Sequence, residues 1–210
     1  MGVMLAACCL AAGWPAGAAS AEPVPPVSAD ALAAGLADVR TVVPDAVIDL
    51  RYATADNFVG IQLYPSDARC LVHESLGPGL ATAAARLRDG GEVLVFWDCY
   101  RPHEVQVRMF EHTPDPAWVA RPGSSARSHT AGRSVDVTIA GADMGTGFDD
   151  FTPTALAYAT EGVTDIAQAN RARLREAMEA GGFSVYAGEW WHFDGPGAAQ
   201  DRPILGVPIN

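Results

Sequence analysis

The chain has 210 residues, 49% hydrophobic and 19% charged, a balance that supports one well-packed domain rather than disorder by default and excludes coiled coil, collagen-like repeat and disulfide-dense miniprotein. Fourteen basic residues against 25 acidic ones leave a formal charge of −11, and every basic residue is Arg. A net negative field repels phosphate backbones, so nucleic acid is not an expected partner.

Residues 1–21 carry no charge, and their apolar run breaks at Trp14-Pro15 before Ala19-Ser20-Ala21, an A-x-A cleavage site ahead of Glu22. This outline predicts a signal peptide over 1–21 and export to the periplasm or exterior of a bacterial cell, although no Lys or Arg precedes the apolar stretch. Leu5-Ala6-Ala7-Cys8 also has the form of a lipoprotein box, which would leave a lipid anchor on Cys8; a buried N-terminal helix is the competing reading. No later apolar run reaches membrane-spanning length. Residues 22–28, with Pro23, Pro25 and Pro26, read as a linker into a domain covering 29–210. With Cys8 and Cys9 inside the signal, Cys70 and Cys99 remain. An oxidising compartment suggests one disulfide between them, and two separate buried thiols are the alternative.

A short helix is predicted over Ala29–Val39 with Ser28 as its cap, and a strand over Ala46–Tyr52. Residues 53–70 read as irregular. An Ala-rich helix spans Pro78–Asp89 and stops at Gly90-Gly91. The continuous apolar run Glu92–Trp97 predicts a central strand buried on both faces. Pro102 opens a helix to about Glu111, and 113–133 is loop-like. Ser134–Ile139 alternates as a strand, with Val135, Val137 and Ile139 on one side and Ser134, Asp136 and Thr138 on the other. After a Gly- and Asp-rich loop over 141–153, the strongest helix runs from Thr164 to Ala180. Phe183–Tyr186 and Trp190–Phe193 read as short strands. Strands and helices do not alternate strictly, so a single α+β domain with a mostly antiparallel sheet flanked by helices is expected.

The chemistry concentrates late in the chain. Asp136 sits mid-strand between two valines, where an unpaired carboxylate would be costly. His129 precedes it by seven residues, and His192 lies within Glu189-Trp190-Trp191-His192-Phe193. Two imidazoles and a carboxylate suffice to hold a catalytic zinc ion and leave a position open for water. Glu189 and His192 would point oppositely in a straight strand, so a bulge or turn is needed if both serve one site. Spacing alone is a weak signal, since His73, His103 and His112 show how readily histidines occur without a partner.

Ser128-His129-Thr130-Ala131-Gly132-Arg133-Ser134-Val135-Asp136 resembles the SxHxxGxxxD-type motif of zinc D,D-peptidases, and EWWHF at 189–193 resembles the ExxH element of the D-alanyl-D-alanine dipeptidase family (peptidase family M15). Further matching blocks are Asp49–Phe58 (DLRYATADNF), Trp97–Pro102 (WDCYRP) and Asp143–Asp149 (DMGTGFD), in the family's order. The resemblance implies one zinc ion per chain held by His129, Asp136 and His192, with Glu189 as catalytic base. It implies that Arg101 stabilises the tetrahedral intermediate, and that Asp149, helped by Tyr52, receives the substrate ammonium. Ser128 falls to the substrate carboxylate, although the family's usual serine position is occupied by Arg127. A second departure is Ser134, where the family has Ala. The expected activity is hydrolysis of D-alanyl-D-alanine or related D,D-dipeptides. Two other readings stay open: a zinc D,D- or L,D-carboxypeptidase acting on peptidoglycan stem peptides, and a non-catalytic cell-wall-binding protein, for which Glu189 and Arg101 would be superfluous. Trp190 and Trp191 are candidates for the pocket wall or for ordinary core.

Overall fold

Two strands lie at the centre, and the reason is visible in their sequences. Leu94–Asp98 and Ser134–Ile139 are buried at every position, as expected of strands covered on both faces. They are β4 and β5 in a chain that runs α1 (Ala29–Ala33), β1 (Leu36–Asp38), β2 (Val47–Ile48), β3 (Leu71–His73), α2 (Gly77–Asp89), β4, α3 (His103–His112), β5, α4 (Asp165–Ala180), β6 (Ser184–Val185) and β7 (His192–Asp194). A computed structural model describes residues 23–210, so the signal peptide expected over 1–21 and the lipidation of Cys8 lie outside the described residues.

The main sheet has the order β2-β4-β5-β7-β6, with only the β2–β4 pair parallel; β1 and β3 form a separate antiparallel pair. This is the α+β arrangement expected from the sequence. Val135 and Val137 face one core, built with Leu80, Leu174 and Met178 of the packed α2 and α4. Close contact of the two helical regions requires glycine at Gly79, because a Cβ there would run into the Gly181 carbonyl. A second core gathers Val105 and Met109 of α3 with Tyr52, Tyr64 and Tyr100. Asp136 points away from the helix pair, as the alternation of β5 dictates.

Pairing between β4 and β5 shifts after Phe96↔Val137, so that Asp98 rather than Trp97 stands opposite Asp136. A bulge of this kind re-aims one side chain, and here it brings two carboxylates to the same side of the sheet. Among the described residues no helix is long and apolar enough to cross a membrane.

Local readings shift in several places, two of them early in the domain. The helix expected over 29–39 ends at Ala33, although Ser28 caps it as predicted. Gly35 takes φ +70° and Leu36–Asp38 leaves the helix to pair with β3, a long-range pairing that local propensity does not encode. The strand expected over 46–52 shrinks to Val47–Ile48, and Arg51–Ala53 coils into a 3-10 turn. Cys70 and Cys99 are joined in a disulfide with Cα atoms 5.2 Å apart, which resolves the choice left open by composition.

Candidate metal centre

Asp136 and His192 are directly opposed in the β5–β7 register, and Ser134 faces Asp194 two residues along, at the next pair on the same face. His129 arrives from a 3-10 turn, Ser128–Ala131, closed by Gly132 at φ +65°. Gly132 is required twice over, because its backbone is left-handed and a Cβ would lie 2.7 Å from the Leu36 side chain. Three chain segments thus deliver one ligand atom each. His129 Nε2 lies 3.2 Å from Asp136 Oδ1 and 3.1 Å from His192 Nδ1, and His192 Nδ1 lies 3.0 Å from Asp136 Oδ1.

Outer hydrogen bonds determine what those atoms offer. His129 Nδ1 lies 2.8 Å from the Cys99 carbonyl, and His192 Nε2 lies 3.1 Å from Asp194 Oδ1. Each outer nitrogen faces an acceptor and so carries the proton, which leaves the inner nitrogen of each ring as a lone pair. Two imidazole lone pairs and a carboxylate oxygen therefore converge with no donor among them. That is unfavourable unless a cation sits between them. Ligands about 2.0–2.1 Å from a tetrahedral ion are about 3.3 Å apart, close to the spacings observed. The donor set fits a divalent metal, and it is the grouping of His, Asp and His expected from the sequence.

Burial works against the charge on Asp136, but His129 and His192 outweigh it and hold the carboxyl below its ordinary range. Burial likewise disfavours a charged His192, yet the Asp136 and Asp194 carboxylates beside its two ring nitrogens push its pKa up to about 10, a measure of how strongly this cluster calls for positive charge.

Glu189 stands at the rim of the cluster. It lies in the turn joining β6 to β7, outside either strand, with its backbone N–H on the Tyr186 carbonyl. The strand expected over 190–193 begins only at His192, and this turn is what lets Glu189 and His192 serve one site. Glu189 Oε2 is 3.9 Å from His192 Nδ1. Burial raises its carboxyl to about 7, against the opposing pull of His192.

Arg101 follows β4. Its Nε and one terminal nitrogen donate to Asp98 Oδ2 at 2.9 and 2.7 Å, and the other terminal nitrogen donates to Gln106 Oε1 at 2.7 Å. Burial penalises the guanidinium, but the Asp98 carboxylate overrides this and holds it firmly protonated. Its remaining approach is toward the centre, 3.9 Å from Asp136 Oδ2. Asp98 also accepts from the Tyr64 hydroxyl at 2.7 Å, and Gln106 donates to the Ala120 carbonyl at 2.6 Å, tying Arg101 to the loop over the cavity. Asp98 and Gln106 were given no role from the sequence. The signal for Asp98 was available: it is the one carboxylate in an otherwise apolar strand, three residues before Arg101.

A cavity of about 650 Å³ opens over these groups and is lined also by Tyr52, Asp149, Ser128 and Arg127. The Tyr52 hydroxyl donates to both oxygens of Asp149 at 3.2 and 3.1 Å. Burial, then the Asp136 charge, push the Asp149 carboxyl well above its ordinary range. Asp149 and Ser128 are the two non-glycine residues at left-handed φ among those described, +57° and +47°, and both line this cavity. The Ser128 hydroxyl donates to Ser134 Oγ at 2.9 Å. Arg127 is neutralised at the surface by Asp201. Of the two tryptophans, Trp191 lines the cavity, whereas Trp190 is core, packed on Trp97 and donating to Thr146.

Comparison with known proteins gives a consistent picture. The model of the D-ala-D-ala dipeptidase family matches residues 32–210. A D-alanyl-D-alanine dipeptidase of Escherichia coli is 37% identical over 175 residues, covering 81% of this chain and 89% of the relative. Proteins of the same description from Streptomyces coelicolor and Enterococcus faecium are 32% and 30% identical, each match covering 69% of this chain and 83% of the relative.

Proposed function

The chain belongs to the D-ala-D-ala dipeptidase family, and on that premise we propose that it is a zinc enzyme that hydrolyses D-alanyl-D-alanine and related D,D-dipeptides. The observation that carries this reading is the convergence of His129 Nε2, Asp136 Oδ1 and His192 Nδ1 within 3.2 Å of one another, in a cavity that also contains Glu189 and Arg101. His129, Asp136 and His192 would hold the ion, which when bound supplies a Lewis acid and lowers the pKa of water to about 7.

The chain's own residues supply the rest. Glu189 takes a proton from the attacking water onto its carboxylate and passes it to the leaving amine nitrogen. Its value near 7 falls further beside a divalent charge, so the group is ionised at neutral pH. The guanidinium of Arg101, fixed by Asp98 and Gln106, faces the carbonyl oxygen as negative charge develops there. Asp149, held by Tyr52, is a buried carboxyl that pays for ionisation until a cation arrives, which suits the free ammonium of a dipeptide. Blocking that ammonium would leave Asp149 unpaired, and this penalty selects against longer or acylated peptides. We assign the substrate carboxylate to Ser128 and the neighbouring Arg127, whose hydroxyl and guanidinium would turn to it from Ser134 and Asp201.

The test is hydrolysis, by the zinc-loaded protein, of free D-Ala-D-Ala and of an acylated tripeptide ending in D-Ala-D-Ala, each with and without chelator. Release of D-Ala from the free dipeptide alone, abolished by the chelator, is the expected result. Release from the acylated peptide would instead make the protein a carboxypeptidase, and release from neither would make it a non-catalytic binder. We assign residues 1–21 to an export signal, 22–28 to a linker and 29–210 to the catalytic domain; the Cys70–Cys99 bridge suits an oxidising compartment. A secreted product beginning at Glu22 is the expected outcome of N-terminal sequencing; one beginning at lipidated Cys8 would place the protein on the membrane surface.

A further inference from the structure

Ser134 is a hydroxyl buried within β5 beside the candidate metal centre, and its surroundings give it a task. It is fully buried, so its hydroxyl proton must find an acceptor within the protein. The acceptor is Asp194 Oδ1 at 2.5 Å, directly across the β5–β7 pair. The same oxygen lies 3.1 Å from His192 Nε2, and Ser134 Oγ itself accepts from the Ser128 hydroxyl. A single chain of hydrogen bonds therefore runs from Ser128 through Ser134 and Asp194 to the outer nitrogen of His192.

We infer that Asp194 and Ser134 are positioning residues for the metal centre: Asp194 holds the His192 proton on Nε2 so that Nδ1 faces the ion as a lone pair, and Ser134 fixes the Asp194 carboxylate in that duty. The register explains why the arrangement is economical. Asp136 and His192 are one cross-strand pair and Ser134 and Asp194 the next on that face, two residues along with Val135 and Phe193 paired between them, so the ligands and their support stand side by side on one face of the sheet. The need for outside support is specific to His192. His129 gives its outer proton to the Cys99 backbone carbonyl, which cannot rotate away, whereas the Asp194 side chain is partly exposed and would turn freely without a second anchor. Partners of this kind typically change metal affinity by 10–100-fold.

This inference rests on the metal reading above, and the test separates the two. The probe is Zn²⁺ alone, titrated into metal-free full-length protein against a chromophoric chelator, with thermal melting of the zinc-free form as a control for folding. Asp194→Ala is expected to weaken zinc binding by about tenfold or more. Ser134→Ala, which only removes an oxygen, is expected to weaken it by a smaller factor with an unchanged melting temperature. Asp194→Asn, which retains an acceptor, should fall between wild type and Asp194→Ala. Wild-type protein that binds no zinc would overturn the metal centre itself. Wild-type binding matched by undiminished affinity in both Asp194→Ala and Ser134→Ala would overturn the positioning role alone. If Asp194→Ala fails to fold, Ser134→Ala decides by itself, and unchanged affinity there refutes the chain of support.

Discussion

At the residue scale the proposed mechanism divides the work between Glu189 and Arg101, and their replacements are expected to separate it. Glu189→Gln keeps the shape of the side chain and leaves the three ligand atoms untouched, so zinc stoichiometry should stay at one while kcat falls by about 10²–10⁴. Metal analysis beside steady-state kinetics checks this, and a near-normal rate would remove Glu189 from the mechanism. Arg101→Lys keeps a charge but loses the fork that engages Asp98 and Gln106 together. A drop in kcat of about 10²–10³ with little change in KM is expected, the usual effect of losing one donor to a developing oxyanion. A change confined to KM would assign Arg101 to binding instead.

At the scale of elements, β1 shows how a local reading is overruled. Leu36–Asp38 looks helical in isolation, but it is held to β3 and finished by Asp38, a carboxylate only 1% exposed that receives Arg40 and Arg69. Burial alone would raise its pKa; hydrogen bonds from Arg40 and then Arg69 outweigh burial and lower it. The sign follows from linkage. A carboxyl with a depressed folded pKa stabilises the protein above its unfolded value of about 3.9, and the contribution disappears as pH falls through the folded value. Asp38→Asn should therefore cost about 3 kcal/mol at neutral pH, the low end for a broken buried pair because Arg40 is partly exposed. The gap from wild type should close below about pH 4, read by denaturant unfolding of the zinc-free protein at several pH values. Elements whose signal is periodic and local were legible in the sequence: β4, β5, α2 and α4 lie within two residues of their expected bounds. Elements that depend on a distant partner, β1 and the short β2, were not. The meeting of His129, Asp136 and His192, with Glu189 and Arg101 at the same cavity, was legible through motif blocks, while the contacts of Asp98, Gln106 and Asp194 arise from a bulge, a loop carbonyl and a strand register that a linear reading does not contain.

For the whole molecule, the Cys70–Cys99 bridge closes a loop with a sequence separation of 29, worth about 3–4 kcal/mol in the chain-entropy account. Its removal by paired Cys→Ser substitution should lower the melting temperature, which calorimetry would register. The bridge does more than staple the fold, because the carbonyl of Cys99 is the group that receives the outer proton of His129. Reduction would slacken that carbonyl and, with it, one of the three side chains proposed to hold zinc, so zinc should be held less tightly in the presence of a thiol reductant. Newly made chains in a reducing cytosol would then be poor catalysts, sparing whatever dipeptide that compartment stores. Full potency would come only once the thiols are oxidised.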